Sequence, residues 1–116
     1  MKIGRKGSQI DLGAEMPIGA EKEGRKIAVE IKSFLGKSAL DDLEDALGQY
    51  GIYRVMLERR EPERIMYLAI PNDTKEMLME EEDFRYILLE FQARLIFYDR
   101  DGKEELEWIE LENIER

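Results

Sequence analysis

The chain contains no cysteine and no histidine. Without cysteine there are no disulfides, no thiolate zinc sites and no thiol nucleophile. Without histidine the commonest metal ligand and the commonest general base are both missing. Ser8, Ser33 and Ser38 have no imidazole to activate them, which excludes a serine–histidine hydrolase. Any metal must be held by carboxylates and carbonyls, and so would be a hard cation such as Mg²⁺, with Mn²⁺ as the variant. Apolar runs reach only six residues, far short of a membrane span. The basic start, residues 1–8, lacks the apolar stretch of a signal peptide, so the expected compartment is the cytoplasm. Neither phosphate-binding glycine pattern, G-x-x-x-x-G-K-[ST] or G-x-G-x-x-G, occurs.

What is present is a globular composition, 43% hydrophobic and 39% charged over 116 residues. That length makes one domain, burying roughly two-thirds of its unfolded surface. The formal charge of −9, from 18 Lys+Arg and 27 Asp+Glu, argues against a general nucleic-acid binder. The charge is uneven. Residues 1–40 hold eight bases and five acids, whereas residues 41–116 hold 10 bases and 22 acids. An anionic substrate would therefore approach the first third of the chain.

Residues 9–12 read as a short strand, and residues 17–21 as a second. Glu23-Gly24 is a hairpin signal before Lys26-Ile27-Ala28-Val29-Glu30-Ile31-Lys32. In that run Ile27, Val29 and Ile31 alternate onto one face, and Ala28, Glu30 and Lys32 onto the other. Ser38 can cap a helix reaching about Arg60, with an apolar stripe of Leu40, Leu43, Leu47, Tyr50, Arg54 and Leu57. Ile65-Met66-Tyr67-Leu68-Ala69-Ile70 reads as a buried strand. Asp73 and Glu76 form a capping pair for a short helix through Glu81. Residues 84–91 continue as helix, Arg94-Leu95-Ile96-Phe97-Tyr98 is another buried strand, and residues 105–111 with Trp108 are the last strand. This order predicts a mixed sheet in an α/β (α+β) domain.

Glu30-Ile31-Lys32 is the candidate for chemistry. An acid and an amine two apart on a strand point the same way. The carboxylate can ligate a metal, and the Ile31 carbonyl can add a second oxygen. Lys32 can orient a water or stabilise charge developing on a phosphorane. Asp11, 19 positions upstream, can join the same cation across a hairpin. The pattern D-x₁₈-E-x-K followed by a helix resembles the PD-(D/E)xK nuclease arrangement, with Ile10 where proline is usual. Gln49 and Tyr50 lie on the following helix; Tyr50 fits the core, and Gln49 is a possible accessory. Glu15 and Glu21 are further acids near the site, with Glu21 the other possible accessory.

Longer blocks carry a more specific resemblance. These are Ile10-Asp11-Leu12-Gly13-Ala14-Glu15, Ala20-Glu21-Lys22-Glu23-Gly24, Ile27-Ala28-Val29-Glu30-Ile31-Lys32-Ser33-Phe34, and Asp42-Leu43-Glu44-Asp45-Ala46-Leu47-Gly48-Gln49-Tyr50. With Arg60-Glu61-Pro62-Glu63-Arg64 and Tyr67-Leu68-Ala69-Ile70-Pro71, they resemble the XisH family, the fdxN element excision controlling factors of cyanobacteria. The resemblance implies a restriction-endonuclease-like mixed sheet flanked by helices, with the site on Asp11, Glu30 and Lys32. It also implies a XisI-type partner and a role in excising a DNA element. Family members carry a further N-terminal stretch that forms a helix. Its absence here would expose apolar surface unless a partner or second copy covers it, pointing to a homo-oligomer or hetero-complex. The expected function is Mg²⁺-dependent hydrolysis of a DNA phosphodiester. The alternative is a catalytically silent regulatory module working through the XisI-type partner, or the toxin of a toxin–antitoxin pair.

Overall fold

The computed structural model describes residues 18–36 and 38–110. The expected strand at 9–12 lies outside them, as do Asp11 and Glu15. Two strands open the described chain, β1 (Ile18–Lys22) and β2 (Arg25–Ile31). They are antiparallel, joined by a two-residue turn at Glu23 and Gly24. Both turn residues have positive φ, 52° and 80°, which the right-handed twist of a tight hairpin demands. Glycine takes that conformation without strain; Glu23 does not.

Helix α1 (Ala39–Arg60) follows. Its N-cap is Ser38, whose hydroxyl accepts from the Asp41 N–H at 3.3 Å. Asp41 and Asp42 in the first turn and Arg59 and Arg60 in the last complement the helix dipole. Its buried stripe is Leu43, Ala46, Leu47, Tyr50, Tyr53 and Leu57. Leu40, expected on that stripe, is 48% exposed, because the stripe drifts towards Ala46 and Tyr53. Strand β3 (Ile65–Pro71) is buried on both faces, as its unbroken apolar run requires. A single 3₁₀ turn (Asn72–Thr74) leads to α2 (Lys75–Glu80), then α3 (Glu82–Glu90), β4 (Leu95–Tyr98) and β5 (Glu107–Ile109). Asp73 does not cap α2; no side chain does, and Asp73 instead accepts from Arg100 Nε at 2.6 Å.

The five strands pair in chain order, β1-β2-β3-β4-β5. The β2-β3-β4 centre is parallel, with an antiparallel strand at each end. Parallel neighbours need helical crossovers, and crossovers of one hand between strands laid down in order land on one face. All three described helices accordingly pack on the face carrying Ala28, Met66, Leu68, Ile70, Leu95 and Phe97. The expected flanking is thus one-sided among the described residues. The opposite face holds a smaller cluster of Ile27, Tyr67, Ala69 and Ile96, with Trp108 against it. No described helix is long and apolar enough to cross a membrane.

Tyr50 ties the layers together. Its hydroxyl donates to the Gln92 carbonyl at 2.7 Å and accepts from the Arg94 N–H at 3.1 Å. The ring is fully buried, as the sequence predicted.

Candidate functional site

Strand alternation sets the site. Ala28 packs with the helices, so Glu30, two residues on, points to the same side of β2. Glu30 is 1% exposed and is the one charged residue in the described core. Burying a carboxylate costs several kcal/mol without compensation, so a position like this is held for a reason other than packing. The Lys32 ammonium lies 3.8 Å from Glu30 Oε1, with its side chain 22% exposed. The pair therefore has one buried member and one that reaches solvent.

Backbone bonds hold the end of β2. The Lys32 N–H donates to the Ala69 carbonyl at 2.9 Å, extending the ladder one residue past the strand. A trans peptide points its two groups in opposite directions, so the Ile31 carbonyl faces away from β3, towards the β1 side. Tyr98 on β4 reaches across β3, and its hydroxyl donates to the Lys32 carbonyl at 3.1 Å. Sequence reasoning missed Tyr98. Its signal was the alternation Arg94, Ile96, Tyr98, which puts it on the helix-free face.

Past Lys32 the chain turns through Phe34, with φ at 54°. The Gly36 N–H donates to Asp42 Oδ2 at 3.0 Å, pinning the loop to the first turn of α1. A cavity of about 200 Å³ lies here, lined by Lys32, Ser33, Phe34, Gly36, Asp42 and Asp45. Its two aspartates repel a bare phosphate.

The other expected residues divide. Gln49 sits on α1 one turn from Ala46 and Tyr53, on the inward side. Its Oε1 is buried and has no hydrogen-bond partner among the described residues. Glu21 pairs in register with Lys26, four residues before Glu30. That is roughly 13 Å along the strand, so the structure does not bring Glu21 to Glu30. Asp11 lies outside the described residues.

The donors that are described, the Glu30 carboxylate and the Ile31 carbonyl, are both oxygen. No group of three or more acids able to hold a metal occurs among the described residues. Mg²⁺ commonly takes one or two carboxylates and completes its shell with water and phosphate, so this donor set fits it.

A family model, that of the XisH protein, matches residues 1–106. The chain belongs to the XisH family. Two crystal structures of similar proteins carry the same fold. One is an XisH family protein from Nostoc punctiforme PCC 73102, with 37% identity and a TM-score of 0.78 over 94% of this chain and 82% of that one. The other is an fdxN element excision controlling factor protein from Anabaena variabilis, with 35% identity and a TM-score of 0.78 over 94% and 81%. A search of the curated proteins finds no match. The XisH resemblance in the sequence thus holds, and so does the mixed-sheet architecture expected from it.

Proposed function

We propose that this XisH protein acts in the excision of a DNA element as a Mg²⁺-dependent phosphodiesterase of the PD-(D/E)xK type. The observation that carries the reading is the buried Glu30 carboxylate beside the partly exposed Lys32 ammonium at 3.8 Å. Glu30, the Ile31 carbonyl and Asp11 would hold the cation. A bound hard cation supplies polarisation of the phosphoryl oxygen and a more acidic water. The Lys32 ammonium is placed to orient that water by hydrogen bonding and to stabilise negative charge on the phosphorane. The Tyr98 and Ala69 bonds fix the backbone of Lys32, so its reach is set by side-chain rotation alone. Gln49 offers a buried acceptor with no hydrogen-bond partner among the described residues, suited to a bound water. Asp42 and Asp45 repel phosphate near Lys32, so an anionic backbone approaching there would need divalent charge to offset them. A XisI-type partner belongs to the same proposal, resting on the family alone.

The test is calorimetric titration of Mg²⁺ and Mn²⁺ into wild type, Asp11→Ala and Glu30→Gln, with plasmid nicking on the same samples. Binding and nicking in wild type, both lost in each variant, are the expected results. Wild-type protein that neither binds the cations nor nicks overturns the reading.

A further inference from the structure

The helix-free face of the sheet carries a second polar feature, at the other end of β2 from Glu30. Register explains its assembly. Lys22 on β1 pairs with Arg25 on β2, across the tight turn. Strands β2, β3 and β4 are parallel, so their N-terminal ends lie together. Alternation then puts Lys22, Arg25, Tyr67 and Arg94 on the same face. They line a cavity of about 330 Å³, together with Glu23 and Glu110. Three cations against two acids give a locally positive pocket on a chain whose total is −9.

These cations are not used up by ion pairs. Among the described residues, the ion pairs involve Lys26, Lys32, Arg54, Arg64, Lys75 and Arg100, and none reaches Lys22, Arg25 or Arg94. The Lys22 ammonium is seated 3.9 Å from the centre of the Trp108 ring, a cation–π contact that fixes where its charge sits. Trp108 in turn meets Tyr67 edge-on at 5.0 Å. Burial, followed by the Glu110 charge, raises the Tyr67 phenol, so it remains a hydroxyl donor at neutral pH. Two guanidinium forks, one ammonium and one hydroxyl around one cavity are donors for a tetrahedral oxyanion.

We infer that this pocket binds a phosphate group, held by Arg25 and Arg94 and completed by Lys22 and the Tyr67 hydroxyl. The site is separate from Glu30 and Lys32. Arg25 opens β2 and Lys32 follows its last residue, seven positions on and roughly 23 Å away in an extended strand, and their side chains leave opposite faces of the sheet. The inference therefore stands whether or not Glu30 holds a metal. The phosphate has two possible sources, a free anion or the backbone of a nucleic acid.

The experiment uses the whole chain in a phosphate-free buffer. Inorganic phosphate is titrated and followed by ³¹P line width, and a short DNA duplex is titrated by fluorescence anisotropy. Arg25→Gln and Arg94→Gln should each weaken phosphate binding about tenfold. Arg59→Gln, at the end of α1, should leave it unchanged. Duplex binding that falls in the same two variants assigns the phosphate to a nucleic-acid backbone. Phosphate binding without duplex binding assigns it to a free anion. The inference is overturned if wild type binds neither probe, or if both arginine variants bind as wild type does. Arg25 is exposed at the start of a strand, so its variant decides the matter should Arg94→Gln fail to fold.

Discussion

Replacing Tyr50 by phenylalanine removes one oxygen and leaves the ring in place. That oxygen makes bonds of 2.7 Å to the Gln92 carbonyl and 3.1 Å from the Arg94 N–H, with a weaker approach of 3.3 Å to the Met66 carbonyl. Phenylalanine leaves a backbone donor and acceptor without a partner in a site water does not reach freely. A buried group stranded this way costs about 1–3 kcal/mol, so the expected loss is about 2 kcal/mol. For a chain of this size that lowers the melting temperature by about 8 °C. The assay is urea and thermal unfolding by far-ultraviolet circular dichroism. Tyr67→Phe is the matched control, because the same oxygen there faces the open pocket at Arg25 and Arg94. It should change stability by less than about 0.5 kcal/mol. Equal losses in the two variants, or a Tyr50→Phe loss below about 0.5 kcal/mol, would refute the reasoning that the Tyr50 bonds tie α1 to the segment leading into β4.

Three further outcomes follow from the geometry. Glu23→Asn should stabilise the chain by about 0.5 kcal/mol in urea titrations, since asparagine tolerates the left-handed backbone at φ 52° better than glutamate. Leu68→Ala removes a fully buried side chain from the helix-covered face of β3 and should cost about 3 kcal/mol by the same method. Tyr50, Tyr67 and Tyr98 all have raised phenol pKa values, burial being the main cause in each. Folded chains therefore hold protons that unfolded chains release. Stability should be full below about pH 10 and decline as pH rises above it, and a stability that increases there would contradict this.

Much of this was legible from residue patterns. The Glu23-Gly24 hairpin, the Ser38 cap, the α1 stripe around Leu43, Leu47, Tyr50 and Leu57, and the buried run before Pro71 each follow from local chemistry. Asp73 did not, because a carboxylate two positions after a buried strand finds Arg100 across the fold before it finds a helix N–H. The proximity of Glu30 and Lys32 was readable from their spacing by two. The burial of Glu30 was not, since it depends on α1 covering one face. The Lys22–Arg25–Arg94 pocket was invisible too, for a reason of pairing rather than of covering. Lys22 meets Arg25 across the antiparallel β1–β2 hairpin, and the parallel register of β2, β3 and β4 brings Arg94 to the same end.

The strand order has a consequence for how the chain reaches this shape. Each described strand after β1 pairs with the described strand before it in sequence. During synthesis the β1–β2 hairpin can close first, and each later strand meets a finished edge as it emerges. Among the described strands none must wait for more than its sequence neighbour, so each loop to be closed spans at most one helical crossover. A circular permutation that moved β1 to the far end would retain the contacts and lose this order of assembly.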